Sequence, residues 1–347
     1  MPDHQPGDQP IEGEEAIIRL LAPLTCGAAG AFDLRDDCAV LEPEPDHELV
    51  LKTDPIAAGV HFPASAAPAD IGFKALAVNV SDLAAKGARP RAYLMALSFP
   101  EAPRRHWLIQ FRAGLREAQA RFGCHLLGGD TDRRPGPVTI SITVVGSVPR
   151  GRMVRRGTAR VGDGLFVSGT LGDAALGLQL VGDPTRAAAL GLSAEMAQHL
   201  VARYHRPQPR LALASVLIEH ATAAMDLSDG VAKDLGRMCA ASGCAAKVRL
   251  ADLPLSPAAA QAVTADPRLW AAVVAGGDDY EILASIPPDR QARFEAAAHA
   301  AGVSVRRIGT LTEGIGVVLE GLDGRPLDLA RSGWDHFAAG SPPPRHA

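Results

Sequence analysis

At 347 residues the chain is long enough for two domains with separate cores, and its 47% hydrophobic and 21% charged content describes a globular protein. A formal charge of −4 and a pI near 6.3 exclude the broad basic face that nucleic-acid binding requires. No apolar run reaches the ~18 residues of a membrane span, so neither nucleic acid nor membrane is expected as a partner.

The first ten residues, MPDHQPGDQP, lack an apolar core and an early positive charge, so no signal peptide is expected and the expected compartment is the cytoplasm. Residues 1–30 read as an arm and a first helix, with Ile17, Leu20, Leu21 and Leu24 on one helical face over 11–24. Residues 1–10 and the tail from 341, SPPPRHA, are expected to be disordered. Cys26, Cys38, Cys124, Cys239 and Cys244 show no CxxC spacing, which predicts reduced, mostly buried thiols rather than disulfides or a zinc site.

In FDLRDDCAVLEP, Asp36 and Asp37 stand directly before a strand predicted over 38–41. The next predicted strand, 48–52, ends at Thr53-Asp54, and GVHF follows with His61. Residues 74–91, KALAVNVSDLAAKGARPR, space Leu76, Ala77, Val80, Leu83 and Ala84 as a helix with one buried face, ending near Gly87 and Pro90. Asp82 interrupts that pattern beside Asn79 and Ser81; it either faces solvent or belongs to a site. A strand over 92–98, a helix over 104–122, a strand over 125–127 running into Gly128-Gly129-Asp130-Thr131, and a β-branched strand over 138–148 complete the first domain. Hairpin-like neighbours mixed with longer helices predict a layered α/β (α+β) fold with mixed sheets over 31–150.

Residues 149–162 are rich in Gly and Arg, with Arg150, Arg152, Arg155, Arg156 and Arg160, and read as a domain boundary. A second domain is expected over 151–340. Its strands are predicted at 165–168, 223–225, 245–250, 280–286, 305–311 and 316–320, and its helices at 194–204, 210–220, 231–241 and 289–301, with another opened by Gly172. Two acid-loaded turns stand out, Asp226-Leu227-Ser228-Asp229-Gly230 and Gly276-Gly277-Asp278-Asp279.

Placement of the acids carries more than their number. Asp54, Asp130, Asp226 and Asp278 each follow an apolar run beside Gly, Ser or Thr, where α/β proteins build ligand sites. Taken singly, each also reads as a turn or helix-capping Asp. If they converge with Asp37 and Asp82, hard oxygen donors with few histidines favour Mg²⁺, and with it phosphate chemistry. Neither GxxxxGK[ST] nor a GxGxxG after a strand is present. A nucleotide would then be held through metal, backbone N–H groups of Gly-rich turns and the Arg cluster, a cluster that by itself also suits a solvated linker. Trp334, in SGWDHF, either staples the tail to the core or offers a stacking surface to a flat heteroaromatic ring.

The ordered set DDCAVL, TDPIAAGVHF, KALAVNVSDLAAKGARPR, GGDTD, MDLSDGVAKDLG, GGDDYEIL and SGWDHF resembles the thiamine-monophosphate kinase family, part of the aminoimidazole ribonucleotide synthetase-like superfamily, across residues 32–337. The resemblance implies two synthetase-like domains, a homodimer pairing the N-terminal ones, and transfer of the ATP γ-phosphoryl group to thiamine monophosphate. Matched by motif position, it implies Mg²⁺ at Asp37, Thr53, Asp54, Asp82, Asp130, Asp226 and Asp229. It likewise implies ATP at Gly129, Asp130, Arg156 and Ser228, and thiamine monophosphate at His61, Asp278 and Trp334, with Asp54, Asp130 and Arg156 as the catalytic group. Three positions depart from the family's pattern: Arg35 replaces a glycine, Lys52 a small hydroxyl residue, and Asp278 a glutamate. Other readings are aminoimidazole ribonucleotide synthetase itself and a non-catalytic Mg²⁺-nucleotide binding module. Selenophosphate synthetase would require a reactive Cys or selenocysteine near a Gly-rich arm, and the hydrogenase-maturation relative a terminal Cys where this chain reads RHA.

Overall fold

The computed structural model describes residues 9–327, 329 and 332–334, so the predicted tail from 341 and residues 1–8 of the predicted disordered start lie outside the described residues, whereas Gln9 and Pro10 are tied down, Gln9 O accepting from Arg105 N–H (3.1 Å) and Pro10 bridging to Arg104. The chain divides into two units: the first runs up to Val80 and includes Arg89–Arg150, and the second holds Ser81–Ala88 and the chain from Gly151.

The first unit contains α1 (Glu14–Leu21), β1 (His47–Ala57), most of α2 (Pro68–Ala85), β2 (Arg89–Phe99), α3 (Arg105–Phe122), β3 (His125–Arg133) and β4 (Thr139–Pro149). Its sheet has the order β1-β4-β2-β3; β2 and β3 run parallel because α3 crosses between them, and the other pairs are antiparallel. Glycines let the two long helices touch. A Cβ at Gly114 would meet the Ala69 carbonyl oxygen at 1.8 Å.

Several elements differ from their sequence expectation. Strand β1 does not end at Thr53 but continues to Ala57, and Pro55 is tolerated because β1 is an edge strand. Likewise GGDTD lies inside β3 rather than in a turn after it. Residues 38–41 form no strand: Val40 N–H donates to Gly30 O (2.9 Å), while Ala39 and Leu41 pack on Ala31, Ala92 and Leu127 as an apolar plug. The first helix stops at Leu21, and a 3₁₀ turn over Ala22–Thr25, with Pro23 near its start, finishes the segment. Helix α2 is buried on every side from Ile71 to Ser81, Lys74 and Asn79 included, so a single buried face was too narrow an expectation.

The second unit builds a six-stranded mixed sheet in the order β10-β7-β9-β5-β8-β6. These strands are β5 (Gly164–Ser168), β6 (Ala223–Asp226), β7 (Ala245–Arg249), β8 (Ile282–Ile286), β9 (Val305–Thr312) and β10 (Gly316–Glu320). The helices are α4 (Asp173–Gly182), α5 (Arg186–Ala189), α6 (Ala194–His205), α7 (Ala214–His220), α8 (Val231–Ser242), α9 (Pro257–Ala265), α10 (Trp270–Ala275) and α11 (Gln291–Ala300). Two apolar clusters fill this unit, one around Leu165, Leu235 and Leu283 and the other around Phe166, Leu217 and Phe294. Helices α5, α9 and α10 had no expectation in the sequence, because Ala-rich segments carry little contrast between faces. No helix among the described residues is long and apolar enough to cross a membrane.

Candidate active site

In the first unit, Asp37, Gly129 and Asp130 line one open cavity of about 680 Å³, together with Leu94, Met95 and Thr131. Asp37 arrives on a left-handed hook, since Phe32, Asp33 and Leu34 take φ of 48°, 55° and 59° in succession. Arg35 closes that hook with its N–H on Phe32 O (3.1 Å), so the non-glycine at 35 is accommodated at φ −106°. Asp130 is exposed on β3 and accepts from Thr131 N–H at 2.8 Å. Gly129 has a packing reason for lacking a side chain, because a Cβ there would meet Met95 O at 1.8 Å across the parallel pair.

Strand register assigns the remaining first-unit residues to faces. Thr53 pairs with Thr143, Thr143 with Leu94, and Ala96 with Asp130, so Thr53 and Asp130 share one face of the sheet. Three strand spacings and a two-residue offset separate them, roughly 16 Å. Asp54, one residue on, points to the opposite face. There Asn79, fully buried in α2, accepts from Asp54 N–H (2.8 Å) and donates to Asp54 O (3.4 Å) and Ala75 O (3.1 Å). Lys52 faces the same way and pairs with the Asp54 carboxylate at 3.0 Å. His61 closes the turn after β1, its Nδ1 accepting from Ala57 N–H at 3.0 Å, which puts the ring proton on Nε2.

In the second unit, Asp226 ends β6 almost fully buried. The loop after it is held from inside α8. Asp234, wholly buried, accepts from the N–H groups of Ser228 (3.0 Å) and Asp229 (2.9 Å), and burial pushes its carboxyl above the ordinary range. Asp229 pairs with Lys233 (3.3 Å) and Arg237 (2.6 Å). Asp278 N–H donates to Ser228 O (2.9 Å), and Trp334 N–H donates to Asp229 O (3.2 Å), while Lys233 Nζ donates to Trp334 O. Ser228, Asp229, Asp278 and Trp334 are therefore one group. Asp278 and Tyr280 both have positive φ, 64° and 50°, and the residues between and after them supply the anchor. Asp279 accepts from Gly172 N–H with both oxygens (2.9 and 3.0 Å), and Glu281, fully buried, is gripped by Arg203 (2.8 Å) and by Arg210.

Arg156 is not in that group. Its turn leans on the C-terminal end of α8, with Ser242 Oγ donating to Arg156 O (3.3 Å), whereas the Ser228-Asp229 loop opens the N-terminal end of the same twelve-residue helix. At 1.5 Å per residue those ends are roughly 18 Å apart. Asp82, half-buried near the end of α2, falls in the second unit. Among the described residues no three His, Cys, Asp or Glu side chains gather closely enough to hold a metal ion alone. Mg²⁺ takes one or two carboxylates plus waters and substrate phosphates, and Asp37 with Asp130 on one cavity matches that donor set. Sequence reasoning missed Asn79 as the group that ties β1 to α2 and Asp234 as a loop-holding group, although an amide amid apolar helix positions and an acid in a helix's first turn were visible signals. Arg203, Arg210 and Glu281 gave none.

Two mixed-sheet units of this kind define the synthetase-related class: residues 35–148 match the family described as AIR synthase related protein, N-terminal domain, and residues 160–321 its C-terminal domain. The thiamine-monophosphate kinase of Caulobacter vibrioides is 40% identical over 334 residues, covering 95% of this chain and 92% of that protein. The crystal structure of thiamine-monophosphate kinase from Stenotrophomonas maltophilia K279a aligns at a TM-score of 0.76 and 38% identity, covering 85% of this chain and 91% of the other. A structure named "AaThiL complexed with AMPPCP and TMP" aligns at 0.74 and 31% identity, covering 94% and 97%. The chain belongs to the thiamine-monophosphate kinase family.

Proposed function

We propose that this chain transfers the γ-phosphoryl group of ATP directly to thiamine monophosphate, giving thiamine diphosphate and ADP. The observation that carries the reading is the cavity gathering Asp37, Gly129 and Asp130 in a chain of this family. The relative complexed with AMPPCP and TMP supports the pair of substrates. A phosphate monoester, with its second pKa about 6, is mostly dianionic at neutral pH and attacks without a general base. A histidine whose Nδ1 is committed to a backbone N–H is then no obstacle. Catalysis rests on aligning two anions and offsetting their repulsion.

In this reading the Gly129 backbone, Ser228 and Arg156 contact ATP, and His61, Asp278 and Trp334 face the thiamine phosphate. Mg²⁺, with Asp37 and Asp130 as its first-unit carboxylates and Thr53, Asp54, Asp82, Asp226 and Asp229 as further ligands, would neutralise phosphate charge. Lys52 keeps Asp54 ion-paired. The functional form is a cytoplasmic homodimer of two-domain chains (31–150 and 151–340), paired through the first domain, whose sheet exposes Leu49, Leu51 and Leu94.

The test is to incubate the protein with ATP, Mg²⁺ and thiamine monophosphate and separate the products by chromatography. Thiamine diphosphate is expected in amounts equal to ADP, and Asp130→Asn is expected to lower kcat by about 100-fold or more without shifting the melting temperature. ADP without thiamine diphosphate would reject the acceptor, and a fully active Asp130→Asn would reject the role of that carboxylate.

A further inference from the structure

The connector's arginines are divided by the fold. While Arg156 lies against the end of α8, Arg152, Arg155 and Arg160 join Arg290 around a concavity of about 320 Å³ that no acidic side chain lines. Elsewhere Arg89, Arg203, Arg210, Arg237, Arg249 and Arg268 all pair with carboxylates, but among the described residues none of these four does. Two neighbouring acids stay out of its lining. Asp163 is buried behind the wall, accepting from Thr222 Oγ1 (2.5 Å), Ser285 Oγ (2.7 Å) and the backbone N–H of Arg160 (3.2 Å). Glu219 is exposed, 3.9 Å from the His220 ring, and does not line the concavity.

Two of the guanidinium groups are fixed in place before any ligand arrives. Arg152 donates to Ile218 O (3.0 Å) and Arg290 to Glu219 O (3.2 Å), capping the C-terminal end of α7 and leaving their other N–H groups unspent. Four like charges around a concavity repel unless an anion lies among them, and planar guanidinium forks match phosphate oxygens in pairs. The volume is at the small end for a ligand pocket, enough for a short oligophosphate. The place is also distinct from the candidate active site. Thr222, on its wall, precedes the first residue of β6, and Pro287 follows the last of β8, so a strand length of roughly 13 Å separates the concavity from the Asp226 and Asp278 loops.

We propose that this concavity is a second anion site of the chain, taking the diphosphate group of free diphosphate or of a small organic diphosphate. Titrating the full chain with inorganic diphosphate in buffer stripped of divalent cations tests it, because an acid-rich site without metal repels that probe. Saturable binding of one diphosphate per chain below about 1 mM is expected, weakened about tenfold or more in Arg160→Glu/Arg290→Glu, with KM for ATP changed less than twofold. Arg155→Gln/Arg160→Gln serves as a milder second variant, expected to lose affinity in the same direction with an unchanged melting temperature. A parallel titration with ADP separates the sources: binding at least as tight as diphosphate and weakened by the same two variants assigns the site to an organic diphosphate, and weaker binding, or ADP binding that the variants leave unchanged, assigns it to the free ion. No saturation by 10 mM, or equal affinity in wild type and both variants, would overturn the proposal.

Discussion

Lys52 and Asp54 stand two residues apart on the helix-facing side of β1, and their 3.0 Å ion pair shows what a lysine at that position does: it offsets the charge of the Asp54 carboxylate. Cysteines give the sharper test at this scale. Burial pushes the Cys124 and Cys239 thiols up to about 12 and raises Cys244, while Cys26 and Cys38 are exposed. A thiol-reactive chromophore at pH 8 is therefore expected to label Cys26 and Cys38 quickly and the other three only in denaturant. Because Cys38 lines the cavity beside Asp37, Mg-ATP is expected to slow its labelling about fivefold or more and leave Cys26 unchanged. Equal rates for Cys38 with and without nucleotide would move the nucleotide out of that cavity.

Among the elements, the turn before β8 is built on buried charge. Asp173, Asp279 and Glu281 are all buried, with Arg203 and Arg210 as the guanidinium partners of Glu281. Burial is the first cause that pushes the Asp279 carboxyl well above its ordinary value, and the charges of Asp173 and Glu281 add to it. The folded state thus holds this proton more tightly than the unfolded one. Stability from Asp279 is fully present below the ordinary carboxyl range, about pH 4, and is lost as pH rises toward the folded value. Asp279→Asn cannot titrate, so urea melts at pH 4.5, 6 and 7.5 are expected to show wild type losing ground steadily against the variant. A difference that stays constant across that range would mean Asp279 is ionised in the folded protein.

For the whole molecule, the exposed leucines of the first unit's sheet matter most. Leu51 is 67% exposed, and Leu49 and Leu94 are each more than 40% exposed, on strands whose opposite face is buried. Apolar side chains in such numbers on one sheet face fit a self-complementary contact. If the proposed homodimer pairs through this face, the wild type is expected to run as a dimer by light scattering and Leu51→Asp/Leu94→Asp as a monomer that keeps its far-UV dichroism. A double variant that stays dimeric would place the pairing surface elsewhere.

Periodicity and motif order settled much of this protein from sequence alone. Helix α3 and strands β2, β4 and β9 follow from 3.6- and 2-residue patterns, which record burial directly. The ordered acid-bearing motifs pointed to the family that the comparisons then showed. Tertiary structure alone decided where β1 and β3 end, because a strand stops where its partner stops, and β4 and β2 carry the ladder past Asp54 and Asp130. It also decided that Thr53 and Asp54 face opposite ways, that Asn79 grips β1 and Asp234 holds a loop, and that Arg155 and Arg156 go to different places. Those outcomes rest on contacts between residues distant in sequence or on register across strands, and neither leaves a local signature for a sequence pattern to record.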